Sequence, residues 1–483
     1  MRLASPALLA LLAAVPTLAA DAPIPQDAAL AAKRSAERLE WNRKTLVGAY
    51  DKVGKKDARW DAKAREALET AARVFSQQVD PPANPEEIQA PAKAAVSAGC
   101  DDPIVVYLLR RTQDYQPDLG SFAEPARRMK EAATALNASK YPAIRRAAAL
   151  ANSADGLAWV GRGGKDEVLL KQARDQYEAA LALLTEKAAD DDRGPICEVL
   201  WYATLQQILR GLRDTGLEPL PAYEKVDAAL AKAPDLEALR LKFRGKFWFD
   251  YGWEARSTGF APAVPQGGFA RLEERLKKAR EALEKSWSLR PDPQTAELMI
   301  EVDKAVGGDR KNMEMWFERA MKLDPDHRGA CWSKLDWLDP KWHGSWEDLI
   351  AFGRACGATK NWRTGITLLA GDAHYRRVGR MEPTAMTAYL SPAAVWSDIG
   401  PAYEEYLKHF PKDAGARSKY AMLLYRADRW PESHAQFQIL GDDLTTWSEF
   451  PFTPLQSLQK MRAQLAQLAA ELQKKKAEAD AKP

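Results

Sequence analysis

The residues able to do chemistry are few and scattered. Five histidines are present, His327, His343, His374, His409 and His434, and none sits in an HExxH or GxSxG setting. His327 and His409 stand beside proline stops, where solvated helix caps are expected. His374 follows Asp372, but residues two apart do not share a helix face. His343 lies in a short turn between Trp342 and Gly344. For both, a hydrogen-bonded structural role is expected. Asp250 and Glu254, four residues apart, put two carboxylates on one helix face with Arg256 close by. Two carboxylates are the minimum for glycosidase chemistry. Acids at this spacing beside an arginine also form a solvated or salt-bridged face, which is the plainer expectation. Gly161, Gly163 and Gly164 precede Lys165 as in a phosphate loop, but Asp166 stands where Ser or Thr is needed. A plain turn ending a helix is predicted there.

Tryptophan is the stronger signal, with 16 in the chain. Trp332, Trp337, Trp342, Trp346 and Trp362 crowd one stretch, and Phe247, Trp248, Phe249, Tyr251 and Trp253 crowd another. Consecutive helical residues are about 100° apart, so one helix cannot turn all of the second group inwards. Either the Gly/Pro-rich segment from Arg256 to Gly268 folds back over them, or they border a groove. The groove reading names Trp253, Arg256, Trp342, His343 and Trp346 as ligand-binding residues. Arg256 would then grip an acidic group with its planar fork. The alternative is that Arg256 pairs inwards with Asp250 or Glu254. No catalytic residue, metal ligand or cofactor is expected.

The elements that must position these residues are helices. Leu283 to Pro291 and Phe317 to Pro325 are two helix ends closing on prolines 34 residues apart. In the second, Phe317, Ala320 and Pro325 have a packing logic: the aromatic fills a groove, the small residue admits a neighbouring helix, and the proline stops the helix. Similar patterns occur at Ala173, Tyr177 and Ala180, at Ala222, Val226, Ala229 and Pro234, and around Tyr403 to Phe437. Order and period resemble the tetratricopeptide repeat (TPR), one helix-turn-helix per unit. The resemblance implies an all-α, right-handed superhelix of antiparallel helix pairs, each burying its open face on the next. Pro234 to Pro291 exceeds one repeat by 23 residues, and Pro325 to Pro411 exceeds two by 18. The excesses are assigned to the segment from Arg256 to Gly268 and to one including Arg380 to Met386. The stretches Asp250 to Phe260 and Pro340 to Leu349 further resemble signatures of an uncharacterised family of exported bacterial TPR-like proteins. That resemblance implies fold and compartment and carries over no catalytic residue.

Around this repeat region, 87–453, the chain divides into a signal peptide (1–20), an N-terminal helical segment (21–86) expected to begin loosely packed, and a C-terminal capping helix with a charged tail (454–483). Arg2, the apolar run Leu3 to Pro16 and the small residues before Asp21 make the signal peptide, with no lipoprotein cysteine after it. The protein is therefore expected in the periplasm or outside the cell, without a membrane span. Export permits disulfides, and Cys331 with Cys356 is the favoured pair among four cysteines. Lys+Arg of 70 against Asp+Glu of 67 gives +3, which argues against nucleic acid. The expected role is an exported TPR-like scaffold for a protein or peptide partner, without catalysis, and with the C-terminal helix free to pair with a partner helix. The alternative is a cell-envelope carbohydrate binder or glycoside hydrolase using Asp250 and Glu254.

Overall fold

The computed structural model describes residues 24–76, 84–113, 122–186, 195–257, 264–444 and 455–480. Every regular element among them is a helix. The first group comprises α1 (Ala28–Thr45), α2 (Val47–Val53), α3 (Asp61–Ser76), α4 (Glu86–Ser97), α5 (Pro103–Gln113), α6 (Ala123–Asn137), α7 (Ala143–Gly164), α8 (Glu167–Glu186), α9 (Pro195–Asp214), α10 (Pro219–Leu230) and α11 (Glu237–Arg256). They share one core running from Leu46 to Phe247. Next come α12 (Gly268–Leu289), α13 (Pro293–Val306), α14 (Arg310–Leu323), α15 (Arg328–Trp337), α16 (Trp346–Ala358) and α17 (Leu369–Val378), around a second core. A third core joins the end of α17 to α18 (Pro383–Leu390), α19 (Ala393–His409), α20 (Ala414–Arg426), α21 (Trp430–Leu440) and α22 (Leu455–Asp480). Consecutive helices pack against one another as adjacent pairs, α7 with α8 and α11 with α12 most extensively.

The proline stops act as predicted. α12 ends at Leu289 and α14 at Leu323, and the residues before Pro291 and Pro325 are extended, as a following proline requires. Asp292 and Asp309 then cap α13 and α14 by accepting from the backbone N–H of Thr295 and Asn312. Ala320 and Phe317 are buried together in the second core. Ala173, Tyr177 and Ala180 are fully buried on α8.

Several expectations need correction. The glycines of the supposed turn at Gly161–Gly164 continue α7, which stops only when Lys165 turns left-handed at φ 52°. The first excess is not chiefly a loop: α11 and α12 have 20 and 22 residues against 14 each in α13 and α14, so longer helices take up most of it. Residues 258–263 of that segment lie outside those described, as do residues 1–20. In the second excess a short extra helix, α18, is inserted. The N-terminal helical segment, expected to begin loosely packed, is anchored: Tyr50 is fully buried, and Ile24 enters the second core. Cys331 and Cys356 are buried free thiols. Burial, then a hydrogen bond with Cys331, pushes the Cys356 thiol well up.

Charged contacts tie alternate helices. Asp336 on α15 lies 2.5 Å from Lys304 of α13 and 2.5 Å from Arg376 of α17. Burial alone would raise its pKa, but the two cations hold the carboxyl well below the usual carboxylate range. A depressed folded-state pKa means that its stabilisation is complete above about pH 4 and fades as pH falls below it. Asp336→Asn should thus cost about 3–5 kcal/mol near neutral pH. Chemical denaturation at stepped pH should show a smaller acid loss for the variant than for the parent protein. Ala320→Leu overpacks the α14 crossing and should cost about 1–3 kcal/mol. An unchanged denaturant midpoint would place Ala320 outside the core.

Candidate ligand-binding cavity

The tryptophan site predicted from sequence comes together only in part. The Trp253 and Trp342 rings meet edge to face at 5.9 Å, joining the end of α11 to the turn before α16. Gly344 holds that turn, because a Cβ there would overlap the Leu338 backbone. Arg256 lies over the Trp253 ring at 5.4 Å and over Phe269 at 5.6 Å. His343 is exposed, and its Nε2 donates to the Lys304 carbonyl at 2.8 Å. Trp346 packs instead beneath Arg380. The acids that could have paired with Arg256 are held elsewhere: Asp250 by Lys246 at 2.5 Å, and Glu254 by Arg213 at 2.7 Å. The remaining tryptophans disperse, Trp337 into the second core, Trp332 under Arg376 and Trp362 against His409 at 3.6 Å.

A larger feature lies elsewhere, a cavity of about 1070 Å³ between the first group of helices and the turn from Asp324 to Gly329. Arg38, Arg73, Arg111 and Arg145 line one side, from α1, α3, α5 and α7. Arg328 and Arg363 line the other, with Asp324, Asp326 and His327. Among the described residues of the lining, six guanidinium groups stand with two carboxylates. Trp41, Phe75, Tyr107, Tyr406 and Phe410 form its apolar wall.

Packing explains how these side chains are held. Arg145 is only 6% exposed and donates to Thr45 Oγ1 at 2.7 Å and to Asn42 Oδ1 at 2.5 Å, while Asn42 donates to Ser76 Oγ at 3.0 Å. Its guanidinium carbon lies 4.8 Å from the centroid of the Trp41 ring and 5.7 Å from that of Phe75. Arg111 lies over Phe75 at 5.5 Å and donates to Tyr107 Oη at 3.0 Å. Across the cavity, Arg34 and Arg38 reach Asp324 at 3.3 and 3.9 Å, so α1 bridges to the middle of the chain. Burial first, then the nearby charges of Arg34 and Arg363, lowers the Arg38 pKa against the pull of Asp324 and Asp326. His327, expected as a solvated cap, is paired with Glu297 at 2.7 Å. Burial opposes its charged form, but Glu297, with the charges of Asp324 and Asp292, raises the pKa on balance.

No protein-family model matches the chain, and no curated protein matches it. The geometry therefore stands alone. Among the described residues no group of His, Cys, Asp or Glu is placed to hold a metal ion.

Sequence reasoning missed this cavity, although a signal was present. Arg38, Arg73, Arg111 and Arg145 follow one another at 35, 38 and 34 residues, and Arg328 and Arg363 are 35 apart. A residue recurring near the repeat period returns to one side of stacked helix pairs. The arginine that holds α1 can be tested directly. Arg145→Met removes charged hydrogen bonds worth about 1.5–3 kcal/mol. Hydrogen exchange should then quicken in α1 more than in α15, and equal protection in both proteins would assign the anchoring of α1 to other contacts.

Proposed function

We propose that the protein is an exported TPR-like right-handed superhelix that binds a peptide segment of a partner protein in the central cavity, without catalysis of its own. The observation carrying this reading is that arginines from α1, α3, α5 and α7 line one cavity. Inner helices of a curled repeat array would present such a surface. The cavity reaches the upper end of the size of small-ligand clefts, giving room for several residues of a chain. Export is supported by the basic start, apolar run and small residues before Asp21. No helix among the described residues is long and apolar enough to cross a membrane. The divergent partners of Asp250 and Glu254 favour binding over a glycosidase reading.

A steric block tests the site. Ala203 on α9 lines the cavity and is exposed, so Ala203→Trp should fill the opening at little cost in stability. In a selection from displayed random peptides, the parent protein should enrich binders that the variant no longer holds, with an unchanged thermal midpoint. Undiminished binding by the variant would move the site out of the cavity. Intact mass of protein recovered from the envelope should place the mature N-terminus near Asp21, and a retained Met1 would end the export reading.

A further inference from the structure

We propose that a second pocket, formed by α16, α17 and α19, binds a neutral saccharide, with a sugar ring packed on Trp362 and its hydroxyls held by Lys360, Thr367, Asp398 and Glu404. The pocket has a volume of about 620 Å³, within the range of clefts that take small organic ligands. Among the described residues it shares none of its lining with the central cavity, so it does not depend on peptide binding there.

A buried hydroxyl in the wall of this pocket has nothing to bond. Thr367, on the turn Ile366–Leu368 before α17, is 6% exposed, and its Oγ1 has no hydrogen-bond partner among the described residues. Such a group costs free energy until something in the pocket meets it. On α19, Pro401 has no N–H to give the Ser397 carbonyl one turn earlier, and both residues line the pocket. A hydroxyl without a partner and a carbonyl short of its helical donor suit a ligand that both donates and accepts, as a sugar hydroxyl does.

The charged side chains leave acceptors and donors without favouring an ionic guest. Asp398 Oδ2 accepts from Arg354 Nε at 2.8 Å and from His374 Nε2 at 3.0 Å, and His374 Nδ1 is bonded to Tyr389 Oη at 2.6 Å. No described residue bonds Asp398 Oδ1, which is left to accept. Burial would raise the Asp398 pKa, but His374 and Arg354 hold it below the usual carboxylate range. Glu405 is matched by Lys408 at 3.0 Å and His409 at 3.2 Å. Among the described residues of the lining, the charges without an ion pair are one of each sign, Lys360 and Glu404. Glu404 Oε1 accepts from Tyr420 Oη at 3.0 Å, which leaves Oε2. These groups stand around an aromatic surface. His409 covers one face of the Trp362 ring with centroids 3.6 Å apart, Phe410 meets it only at a tilt, and no described ring or cation lies over the second face. The C–H face of a sugar ring packs on an indole face, and the hydroxyls at its rim then meet the polar groups.

Saturation-transfer NMR titrations on the full chain would use cellotriose, maltotriose and chitotriose as neutral probes, trigalacturonate as an acidic one and alanylalanine as a zwitterionic one. At least one neutral trisaccharide should bind, with an affinity that does not change as salt is raised from about 50 to about 300 mM. Trp362→Ala should weaken it at least about tenfold. Thr367→Val should weaken it about threefold to tenfold. Because Thr367→Val keeps the side-chain shape and removes a hydroxyl that bonds no described residue, its thermal midpoint should not fall, and it decides the question if Trp362→Ala unfolds. The central-cavity variant Ala203→Trp should bind the trisaccharide as the parent protein does; loss of binding there would place the sugar in the central cavity and overturn the proposal. Tighter binding of trigalacturonate or alanylalanine than of every neutral probe would overturn the neutral saccharide as the ligand. Equal trisaccharide affinity in the parent protein and in both pocket variants would remove the sugar from this pocket. Binding of none of the probes would overturn the proposal outright.

Discussion

The cavity depends on where α1 lies, and α1 is held by polar contacts at both ends of its inner face. Arg145 fastens Asn42 and Thr45 to α7, Asn42 continues to Ser76 of α3, and Arg34 with Arg38 ties the same helix to Asp324 in mid-chain. A buried guanidinium left without acceptors is costly, so packing and hydrogen bonding must be satisfied by one placement of α1. Ile24, just before the helix, adds an apolar anchor in the second core. A helix with few buried apolar residues of its own is thereby fixed across two parts of the molecule.

Between the first and second cores lies α11, and its aromatics are divided accordingly. Phe247 stacks on Tyr223 at 4.0 Å in the first core, Phe249 packs against the second, and Trp248 touches both. The crowding that no single face could absorb is resolved by giving the helix two buried faces. Gly245 permits its close approach to α12, since a Cβ there would come 2.5 Å from Leu283 Cγ. Lys242, 2% exposed, adds a polar link at this seam, reaching Glu198 of α9 and Asp292, the cap of α13, each at 2.9 Å.

The aromatic surplus is spent largely on cations. Trp332, Trp346 and Trp248 lie under Arg376, Arg380 and Lys278, and Tyr251 lies under Arg275. These pairs cover ring faces that would otherwise meet water, and they lay the aliphatic stems of long cations along apolar surface. Tryptophans adjacent in sequence are thus satisfied by separate partners, and only Trp253 and Trp342 meet as the groove reading required.

The sequence determined the helical class, the proline stops at Pro291 and Pro325, and the burial of Phe317, Ala320, Ala173 and Tyr177. Each follows from local chemistry: backbone geometry before proline, 3.6-residue periodicity, or a small residue beside an aromatic. It also held the near-periodic arginines, but their meaning depended on which helices return to one side. Tertiary structure alone decided that Glu254 turns to Arg213 and that His327 meets Glu297, whereas Asp250 takes Lys246 one turn away on its own helix. It alone set cations from α1, α3, α5 and α7 opposite Arg328 and Arg363 in a nearly neutral chain. Charge partners are chosen by spatial proximity across helices dozens to hundreds of residues apart, and no local propensity encodes that separation.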